Sequence, residues 1–323
     1  MNFTHLHVHT EYSLLDGSNK IQEYVNRVKE LGMDSAAITD HGVMYGVIDF
    51  YRAARAAGIN PVLGCEVYVA PGSRFDREIG SGDDRYYHLV LLAENNQGYA
   101  NLMKIVSKSF VEGFYYKPRV DLQLLEKYHE GLIALSACLA GEVARYLTRG
   151  MYEDAKAAAL RYQDIFGKGN FFLELQDHGI PEQQNVNQQL LKMHRETGIE
   201  LVATNDVHYT LAEDAQPHDV LLCLQTGKKL SDENRMRYDG GQYYVKSPEE
   251  MERLFPYATE ALENTHKIAQ RCHVEIEFGV TKLPKFDVPQ GYTSWEYLNE
   301  LCFKGLEERY QPVTEELKER LNY

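Results

Sequence analysis

The chain has 323 residues, of which 44% are hydrophobic and 25% are charged, and these values exclude a disordered, collagen-like or coiled-coil protein. Its length fits either two ordinary domains or one large α/β barrel with an appendage. The formal net charge of −14 argues against a broad phosphate-binding face, although a bound metal ion would locally invert the field of clustered carboxylates.

The cysteines and the N-terminus indicate a protein of the cytoplasm. Five widely spaced cysteines without a CxxC pair predict neither a disulfide framework nor a cysteine-rich zinc finger. The N-terminus lacks the basic and apolar regions of a signal peptide, and no apolar run approaches the roughly 18 residues of a membrane span. We therefore expect a cytoplasmic protein that does not interact with a membrane.

Short apolar runs rich in β-branched residues predict seven strands. These are Thr4–His9, Ser35–Thr39, Pro61–Val69, His88–Ala93, Gly131–Ser136, Phe171–Leu175 and Glu200–Thr204. Segments with helical periodicity separate most of them; between the first two strands, for example, Ile21, Val25 and Val28 share one helix face. The other predicted helices in this part of the chain begin near Val47 and cover Asn101–Val111, Glu142–Tyr146, Tyr152–Phe166 and Glu182–Thr197. Repeated β–α units predict a parallel sheet, either open or closed into a barrel.

The strand signal fades beyond about Leu211, and the chain becomes helical. Ser247–Cys272 is predicted as a helical pair around Pro256, and a turn-rich stretch then precedes an amphipathic helix at Trp295–Tyr310. The charged last stretch, Thr314–Tyr323, shows no capping signal. We therefore expect the chain to be part of something longer.

The predicted division has two parts. Residues 1–280 are expected to form a metal-binding barrel domain with C-terminal helices. Residues 281–323 are expected to form a linker and a helix.

Side chains that can bind metal recur at the ends of the predicted strands, where parallel α/β folds place their working groups. They are His7, His9, Asp40, His41, Glu66, Cys138, Asp206 and His208. Residues two apart on an extended strand point to the same face, so His7 and His9 can share one ion, and the later Asp-Val-His segment repeats that geometry. A lone histidine is more often structural, but such residues at five strands predict a metal cluster.

Three positions stay open on this reasoning alone. His88 opens its strand instead of ending it, which favours a structural histidine. Cys138 fits a small buried hydrophobic residue as well as a ligand. His5 lies on the same strand face as His7 and His9, and only the motif resemblance given below implies a supporting or structural role for it.

The segments around these residues resemble the motifs of the PHP (polymerase and histidinol phosphatase) superfamily. The matching segments are HLHVHTEYSLLDG, AAITDHG, GCEVYV, LSACLAG and NDVHY. The segments GFYYKPRVD, FFLELQDHG and LPKF…YLNELCFKGLEERY more narrowly resemble the N-terminal PHP domains of bacterial replicative DNA polymerase III alpha subunits. This resemblance covers essentially the whole chain.

The resemblance implies a distorted (β/α)₇ TIM-like barrel with a trinuclear metal site, followed by a helical extension leading toward a polymerase palm that this chain lacks. The implied ligands are His7, His9, Glu66 and Asp206 for one ion, Glu66, His88 and Cys138 for a second, and Asp16, His41 and His208 for a third. The implied catalytic residues among them are Asp206, His208, Glu66 and His9.

The implied chemistry is phosphoester hydrolysis with three divalent ions. Imidazole, carboxylate and thiolate ligands favour Zn²⁺, and Mn²⁺ or Fe²⁺ suits the positions richer in oxygen. Two ions bridged by Glu66 would lie about 3.5–4 Å apart, the separation used in two-metal hydrolysis. The resemblance implies a 3′–5′ proofreading exonuclease of DNA replication, without polymerase activity because no acidic triad resembling the palm's occurs near the C-terminus.

Two other functions remain under consideration. A phosphatase of the histidinol-phosphate type shares the metal motifs but acts on a phosphomonoester. A scaffold would instead use its metals to stabilise the barrel and would dock the polymerase or a separate proofreading subunit.

Partners and substrate contacts are the least determined part of the prediction. The expected partners are a single-stranded or frayed DNA 3′ end, the remainder of the alpha subunit and other replisome subunits. Lys117 and Arg119, next to two tyrosines, could follow a phosphate backbone or pack against the missing polymerase. His178 could contact substrate or lie in a surface loop.

Overall fold

The computed structural model describes residues 2–78 and 84–323, and within them seven strands form one sheet. The strands are β1 (Ser35–Ile38), β2 (Asn60–Val69), β3 (Tyr87–Ala93), β4 (Arg119–Val120), β5 (Leu132–Leu135), β6 (Phe171–Leu175) and β7 (Leu201–Ala203). The six predicted strands from Ser35 onward are present, whereas the short β4 was not predicted.

Helices follow most strands, and their bounds agree with the predicted periodicity. They are α1 (Ile21–Glu30), α2 (Val47–Ala57), α3 (Asn96–Val111), α4 (Leu122–Tyr128), α5 (Glu142–Thr148), α6 (Tyr152–Phe166), α7 (Pro181–Thr197), α8 (Ala215–Thr226), α9 (Pro248–Leu254), α10 (Thr259–Arg271), α11 (Ser294–Arg309) and α12 (Glu315–Asn322). Within the described ranges, none of these helices is both long and apolar enough to span a bilayer.

The sheet is mixed, which corrects the prediction of parallel strands throughout. The order is β1-β2-β3-β5-β6-β7, with β4 pairing beside β2. Strand β3 runs antiparallel to both β2 and β5, whereas the other pairings are parallel. Because β3 is reversed, its first residues lie at the edge where its neighbours end.

The segment Thr4–His9 closes the sheet without forming a regular strand. On one side, the amide of Ala37 donates to the carbonyl of His5 and that of Thr39 donates to Val8. On the other side, Val8 makes a parallel bridge to Val207, just beyond β7. The two edges of the sheet are therefore joined, and the fold is the distorted TIM-like barrel that the sequence predicted.

Apolar side chains fill the barrel and α10 seals one end. The interior cluster contains Leu6, Val62, Val90, Leu135, Phe172 and Val202, and Ile268 and Ala269 of α10 belong to the same cluster. Complete burial of such side chains contributes about 1.5–3 kcal/mol each. Asn264 of α10 donates to the carbonyl of Leu201 at the start of β7, so this helix covers the amino ends of the parallel strands.

The chain divides into two units, the first ending at Glu275 and the second covering Ile276–Tyr323. In the second unit, Thr293 and Glu296 form a capping box at the start of α11. The hydroxyl of Thr314 accepts a hydrogen bond from the amide of Leu317 and caps α12, which the sequence analysis had not assigned as a helix. The predicted boundary at residues 280 and 281 stays a prediction.

Gly98 in α3 packs directly on the backbone of Gly131 before β5. A methyl group at Gly98 would lie 1.7 Å from the carbonyl oxygen of Gly131, so Gly98→Ala must displace backbone. We expect Gly98→Ala to lower the free energy of unfolding by more than about 3 kcal/mol, measured by urea denaturation.

Gly32→Ala is the matched control. Gly32 has a φ of +75° with open space around it, so the substitution adds only conformational strain, about 1–2 kcal/mol. Equal losses in the two variants would contradict the steric explanation.

Candidate metal centre

The structure brings the nine predicted metal ligands together at one end of the barrel. Each has an atom within 3.7 Å of another member of the set. They come from the closing segment, from the turn between it and α1, from the turns after β1, β5 and β7, from the interior of β2 and from the start of β3. His88 lies at this end only because β3 is reversed, which explains why it opens its strand.

Glu66 lies at the middle of the cluster and faces four imidazoles. One carboxylate oxygen, Oε1, is 3.1 Å from His7 Nε2 and 3.0 Å from His88 Nδ1. The other, Oε2, is 2.7 Å from His41 Nδ1 and 3.7 Å from His9 Nε2. A single carboxylate thus has the position needed to bridge ions on its two sides.

Asp206 forms a second bridge between the histidines. Its Oδ1 is 3.3 Å from His7 Nε2, 3.2 Å from His9 Nε2 and 3.7 Å from His208 Nδ1. Asp206 has a φ of +45°, a left-handed conformation that aspartate adopts more readily than most residues. Strained backbone of this kind is typical of functional sites.

Asp16, His41 and His208 form the outer part of the cluster. The carboxylate oxygen Oδ2 of Asp16 is 2.7 Å from His41 Nε2 and 3.7 Å from His208 Nε2. The hydroxyl of Tyr238 lies 3.3 Å from Asp16 Oδ1 and 3.3 Å from His208 Nε2. Tyr238 lies between α8 and α9, and no sequence motif singled it out.

Cys138 completes the set beside His88. Its sulfur is 3.6 Å from His88 Nδ1. The preceding residue, Ala137, has a φ of +63°, so the turn after β5 carries backbone strain next to the cluster.

The polar atoms that face one another in this cluster leave a space suited to cations. Among the described residues, six of these buried atoms lack a hydrogen-bond partner: His7 Nε2, His9 Nε2, His41 Nδ1, both carboxylate oxygens of Glu66 and Asp206 Oδ1. Such atoms are costly to bury unless an ion or another group satisfies them. The donor set of imidazoles, carboxylates and one thiol fits Zn²⁺, Mn²⁺ or Fe²⁺.

The distances support shared ions. Two tetrahedral ligands at about 2.0–2.2 Å from one ion lie roughly 3.3–3.6 Å apart, and the contacts of Asp206 with His7 and His9 are 3.3 and 3.2 Å. The contact of His41 Nε2 with Asp16, 2.7 Å, is instead a hydrogen bond. The contact of His41 Nδ1 with Glu66 is equally short but lacks hydrogen-bond geometry.

Within residues 2–78 and 84–323, three trios have ligand atoms that lie within 4.8 Å of one another. They are His7, His9 and Glu66; His9, His41 and His208; and His41, Glu66 and His88. The first trio falls within the set predicted for one ion, and the other two combine residues predicted for different ions. The division of the nine ligands among three ions therefore stays a prediction.

Side chains behind the ligands fix their orientation. Glu174, in β6, is buried and accepts a hydrogen bond of 2.7 Å from His7 Nδ1, which leaves Nε2 facing the cluster. Glu174 in turn accepts hydrogen bonds from Gln176 and Thr204. Carboxylates behind a ligating histidine commonly set its tautomer and basicity.

A second support holds the closing segment. Asp40 accepts hydrogen bonds from the amide of Thr10 and from the hydroxyl of Ser13. The Ser13 oxygen lies 3.1 Å from His9 Nδ1, so Asp40 orients this histidine through Ser13. Asp40 was predicted only as a possible ligand. Glu174 was not predicted as a site residue, although an acidic residue within the apolar run FFLEL is a usable signal.

Burial and neighbouring charges shift the pKa values of His7 and His9 in opposite directions. Burial alone would lower the pKa of His7, but the carboxylates of Asp206, Glu174 and Glu66 raise it well above its ordinary value. For His9, burial is the main cause that lowers the pKa to about 3, so its imidazole stays neutral and can ligate.

The same surroundings lower the pKa of the Glu66 carboxyl group and raise the pKa of the Cys138 thiol. Burial acts to raise the pKa of Glu66, but the charges of His88 and His7 outweigh it and hold the pKa well below its ordinary value. Burial, and then the charge of Glu66, raises the pKa of the Cys138 thiol. A cation would therefore have to displace a proton for Cys138 to bind as a thiolate.

Of the three predicted substrate contacts, Lys117 lies beside the cluster and Arg119 is buried. Lys117 lines a cleft together with Asp16, His41 and His88, so it lies beside the cluster. Arg119 is 2% exposed and its guanidinium donates to the carbonyls of Arg74, Asp76 and Gly113, which corrects its assignment to a DNA-binding surface. Its burial and its hydrogen bonds to these carbonyl groups indicate a structural role.

Two further histidines considered from the sequence, His178 and His5, are buried and have structural roles. His178 is 3% exposed, which corrects the expectation of a surface loop, and its ring nitrogens contact the Asn205 carbonyl and the Gln183 amide. The Nε2 of His5 contacts the carbonyl of Lys246. Burial lowers the pKa of each to about 4, so both rings are neutral.

Comparisons with known proteins agree with the motifs. Residues 5–178 match the family described as PHP domain. The chain is 47% identical to the DNA polymerase III subunit alpha of Treponema pallidum and 46% identical to that of Borreliella burgdorferi, over 100% and 99% of this chain. In both cases it spans 28% of the relative's length, in the N-terminal region.

Solved structures are more distant. A two-domain protein from Bacteroides vulgatus, described as containing a predicted PHP-like metal-dependent phosphoesterase, has a TM-score of 0.41 and 14% sequence identity, covering 82% of this chain and 63% of that chain. An amidohydrolase from Chromobacterium violaceum has a TM-score of 0.44 and 15% identity, covering 64% of this chain and 88% of that chain.

The support by Glu174 can be tested through metal affinity. Glu174→Gln keeps the shape of the side chain but removes the charge that orients His7. We expect the affinity for Zn²⁺, measured by competition with a fluorescent chelator, to fall about 10- to 100-fold. Glu200→Gln, which alters an exposed carboxylate, should leave the affinity unchanged; equal affinities in both variants would contradict the assigned role.

Proposed function

Because the chain belongs to the PHP domain family, we propose that it is a metal-dependent phosphoesterase that removes nucleotides from the 3′ end of a DNA strand. The observation that carries this proposal is the set of buried, unpartnered nitrogen and carboxylate oxygen atoms around Glu66. The similarity to DNA polymerase III alpha subunits favours DNA as the substrate and proofreading as the purpose.

The nine ligands would hold three divalent ions, with Zn²⁺ favoured over Mn²⁺ or Fe²⁺ by the histidines and the cysteine. Such ions, when bound, polarise phosphoryl oxygens and supply a nucleophile at neutral pH. Glu66 would bridge two of the ions. Asp206, His208 and His9 would complete the catalytic set.

Of the remaining side chains, one would bind the substrate and two would orient the metal ligands. Lys117, at the rim, can pair its ammonium group with a phosphate. Burial, and then the charge of Asp16, raises the pKa of Tyr238 well above its ordinary value, so its hydroxyl keeps the proton and donates to Asp16. Glu174 holds His7 in the tautomer whose Nε2 faces the cluster.

The biological setting is part of the same proposal. The partners would be an unpaired DNA 3′ end, the remainder of an alpha subunit and other replisome subunits, in the cytoplasm. Polymerase activity is not proposed for this chain, which spans 28% of the length of its relatives.

A scaffold role is the second candidate, and the position of the cluster favours it. His7 and His9 lie in the closing segment, whereas Asp206 lies just beyond β7, so ions held between them would fasten the two edges of the barrel. Binding free energy of this kind becomes folding free energy. The scaffold and the nuclease are compatible functions of one centre.

The nuclease proposal predicts a ladder of products from single-stranded DNA. With Zn²⁺ or Mn²⁺ bound, the chain should shorten a 5′-labelled strand from its 3′ end, and Asp206→Asn should reduce the rate at least about 100-fold. Asp34→Asn, an exposed carboxylate that also loses its charge, should behave like the unaltered chain.

Two outcomes would count against the nuclease. Absence of the ladder in a sample shown to contain bound metal would leave the scaffold role. Turnover of histidinol phosphate without DNA cleavage would instead indicate the small-molecule phosphatase.

The stabilising role of the ions predicts a large effect of chelation. Addition of EDTA should lower the melting temperature by at least about 5 °C, because bound ligand stabilises only the folded state. EDTA saturated with Zn²⁺ at the same ionic strength is the control. A melting temperature that responds equally to both reagents, or to neither, would contradict the role.

A further inference from the structure

We propose that the cleft beside the metal centre is a base-stacking site for the unpaired nucleotides at the 3′ end of a single DNA strand. This inference rests on the proposed function and adds which part of the substrate the protein recognises. The cleft has a volume of about 510 Å³, and Asp16, His41 and His88 form part of its wall. A molecule held in it therefore touches the centre directly.

Aromatic side chains dominate this cleft. Six of the sixteen lining residues are aromatic, against 11% of the whole chain. They are Tyr12, Tyr45, Tyr68, Tyr86, Phe110 and Tyr238. Aromatic faces bind unpaired bases with little regard to sequence, because every base has a stacking face.

Several of these rings are free to accept a base. Tyr45 is 59% exposed and Phe110 is 37% exposed. Among the described residues, Tyr45 has no recorded hydrogen bond or ring contact, and Phe110 contacts one ring, that of Phe114, at 6.1 Å. A base stacked on Tyr45 would cover apolar surface without displacing an existing contact.

The deeper rings are held in place. Tyr68 is buried and contacts Tyr86 edge-on, with ring centroids 4.8 Å apart. Gly42, with a φ of +63°, lies so close to Tyr68 and Pro118 that an added methyl group would approach both to 2.9 Å. This close approach brings the turn after β1 against the strand that carries Tyr68.

The charge of the cleft also favours stacking over electrostatic capture. Among the described residues that line the cleft, Lys117 is the one lysine or arginine, with Nζ 5.3 Å from the Tyr68 ring centroid. The chain as a whole has a formal charge of −14, which repels phosphates. Outside the metal centre, affinity for DNA must then come mainly from uncharged contacts, with about one phosphate paired to Lys117.

The bound end must be unpaired. In a duplex the bases already stack on one another, so their faces are unavailable to the rings of the cleft. A frayed or mismatched end presents free faces, and unstacking it costs less than unstacking a paired end. The cleft thus selects the kind of end that a proofreading enzyme should remove.

Binding can be measured separately from cleavage. The probe is a fluorescein-labelled ten-nucleotide thymidine strand whose last three linkages are phosphorothioates, mixed with the Zn²⁺-loaded full chain and followed by fluorescence anisotropy. The comparison strand has the same phosphates but lacks bases at its three 3′-terminal positions. We expect the strand without bases to bind at least about tenfold more weakly.

Variants locate the effect in the cleft. Tyr45→Ala and Phe110→Ala should each weaken binding of the intact strand about 5- to 20-fold, and Tyr45→Phe should restore it. Tyr257→Ala is the matched control, because Tyr257 is 52% exposed but lines a different pocket, near Leu201 at the start of β7. A plot of the logarithm of the affinity against the logarithm of the salt concentration should have a slope of about −0.7.

Each result decides between the two proposals. Equal binding of the two strands, or equal effects of the cleft variants and Tyr257→Ala, would overturn the stacking site. Cleavage that is unaffected by the cleft variants would leave the nuclease and remove this inference. Base-dependent binding without cleavage would support the site and contradict the nuclease.

Discussion

The buried carboxylate of Glu66 imposes the constraint on which the rest of this structure depends. A buried charge is costly unless partners of opposite charge surround it. Glu66 is 1% exposed and faces His7, His9, His41 and His88, which come from three separate parts of the chain. The closed barrel brings those parts together, and the proposed divalent ions would add positive charge to that of the imidazoles.

In the proposed function the same residues serve stability and chemistry. The predicted ligands His7, His9 and Asp206 lie where the closing segment meets the residues after β7, so loss of bound ions would remove both the reactive groups and a link between the two edges of the barrel. The aromatic cleft adjoins the same centre, because Asp16, His41 and His88 form part of its wall.

The sequence predicted the strands from Ser35 onward and the positions of the polar residues at their ends, since both follow from local patterns. The reversal of β3 could not be predicted, because periodicity does not encode strand direction, and for that reason His88 seemed misplaced. Arg119 and His178 were misjudged because their buried partners are distant backbone carbonyls. Tyr238 lies in an irregular segment with no motif, whereas Glu174 interrupts an apolar strand and could have been noticed.

The join between the closing segment and Asp206 also sets when the centre can form during synthesis. About 200 residues separate His7 from Asp206, and a ribosome needs roughly 10–40 s to add that length. Throughout that interval the first histidines have emerged but lack the carboxylate they share. Capture of metal by the complete centre would therefore be a late event of biosynthesis, and a chain interrupted before β7 would lack both Asp206 and the residues that pair with the closing segment.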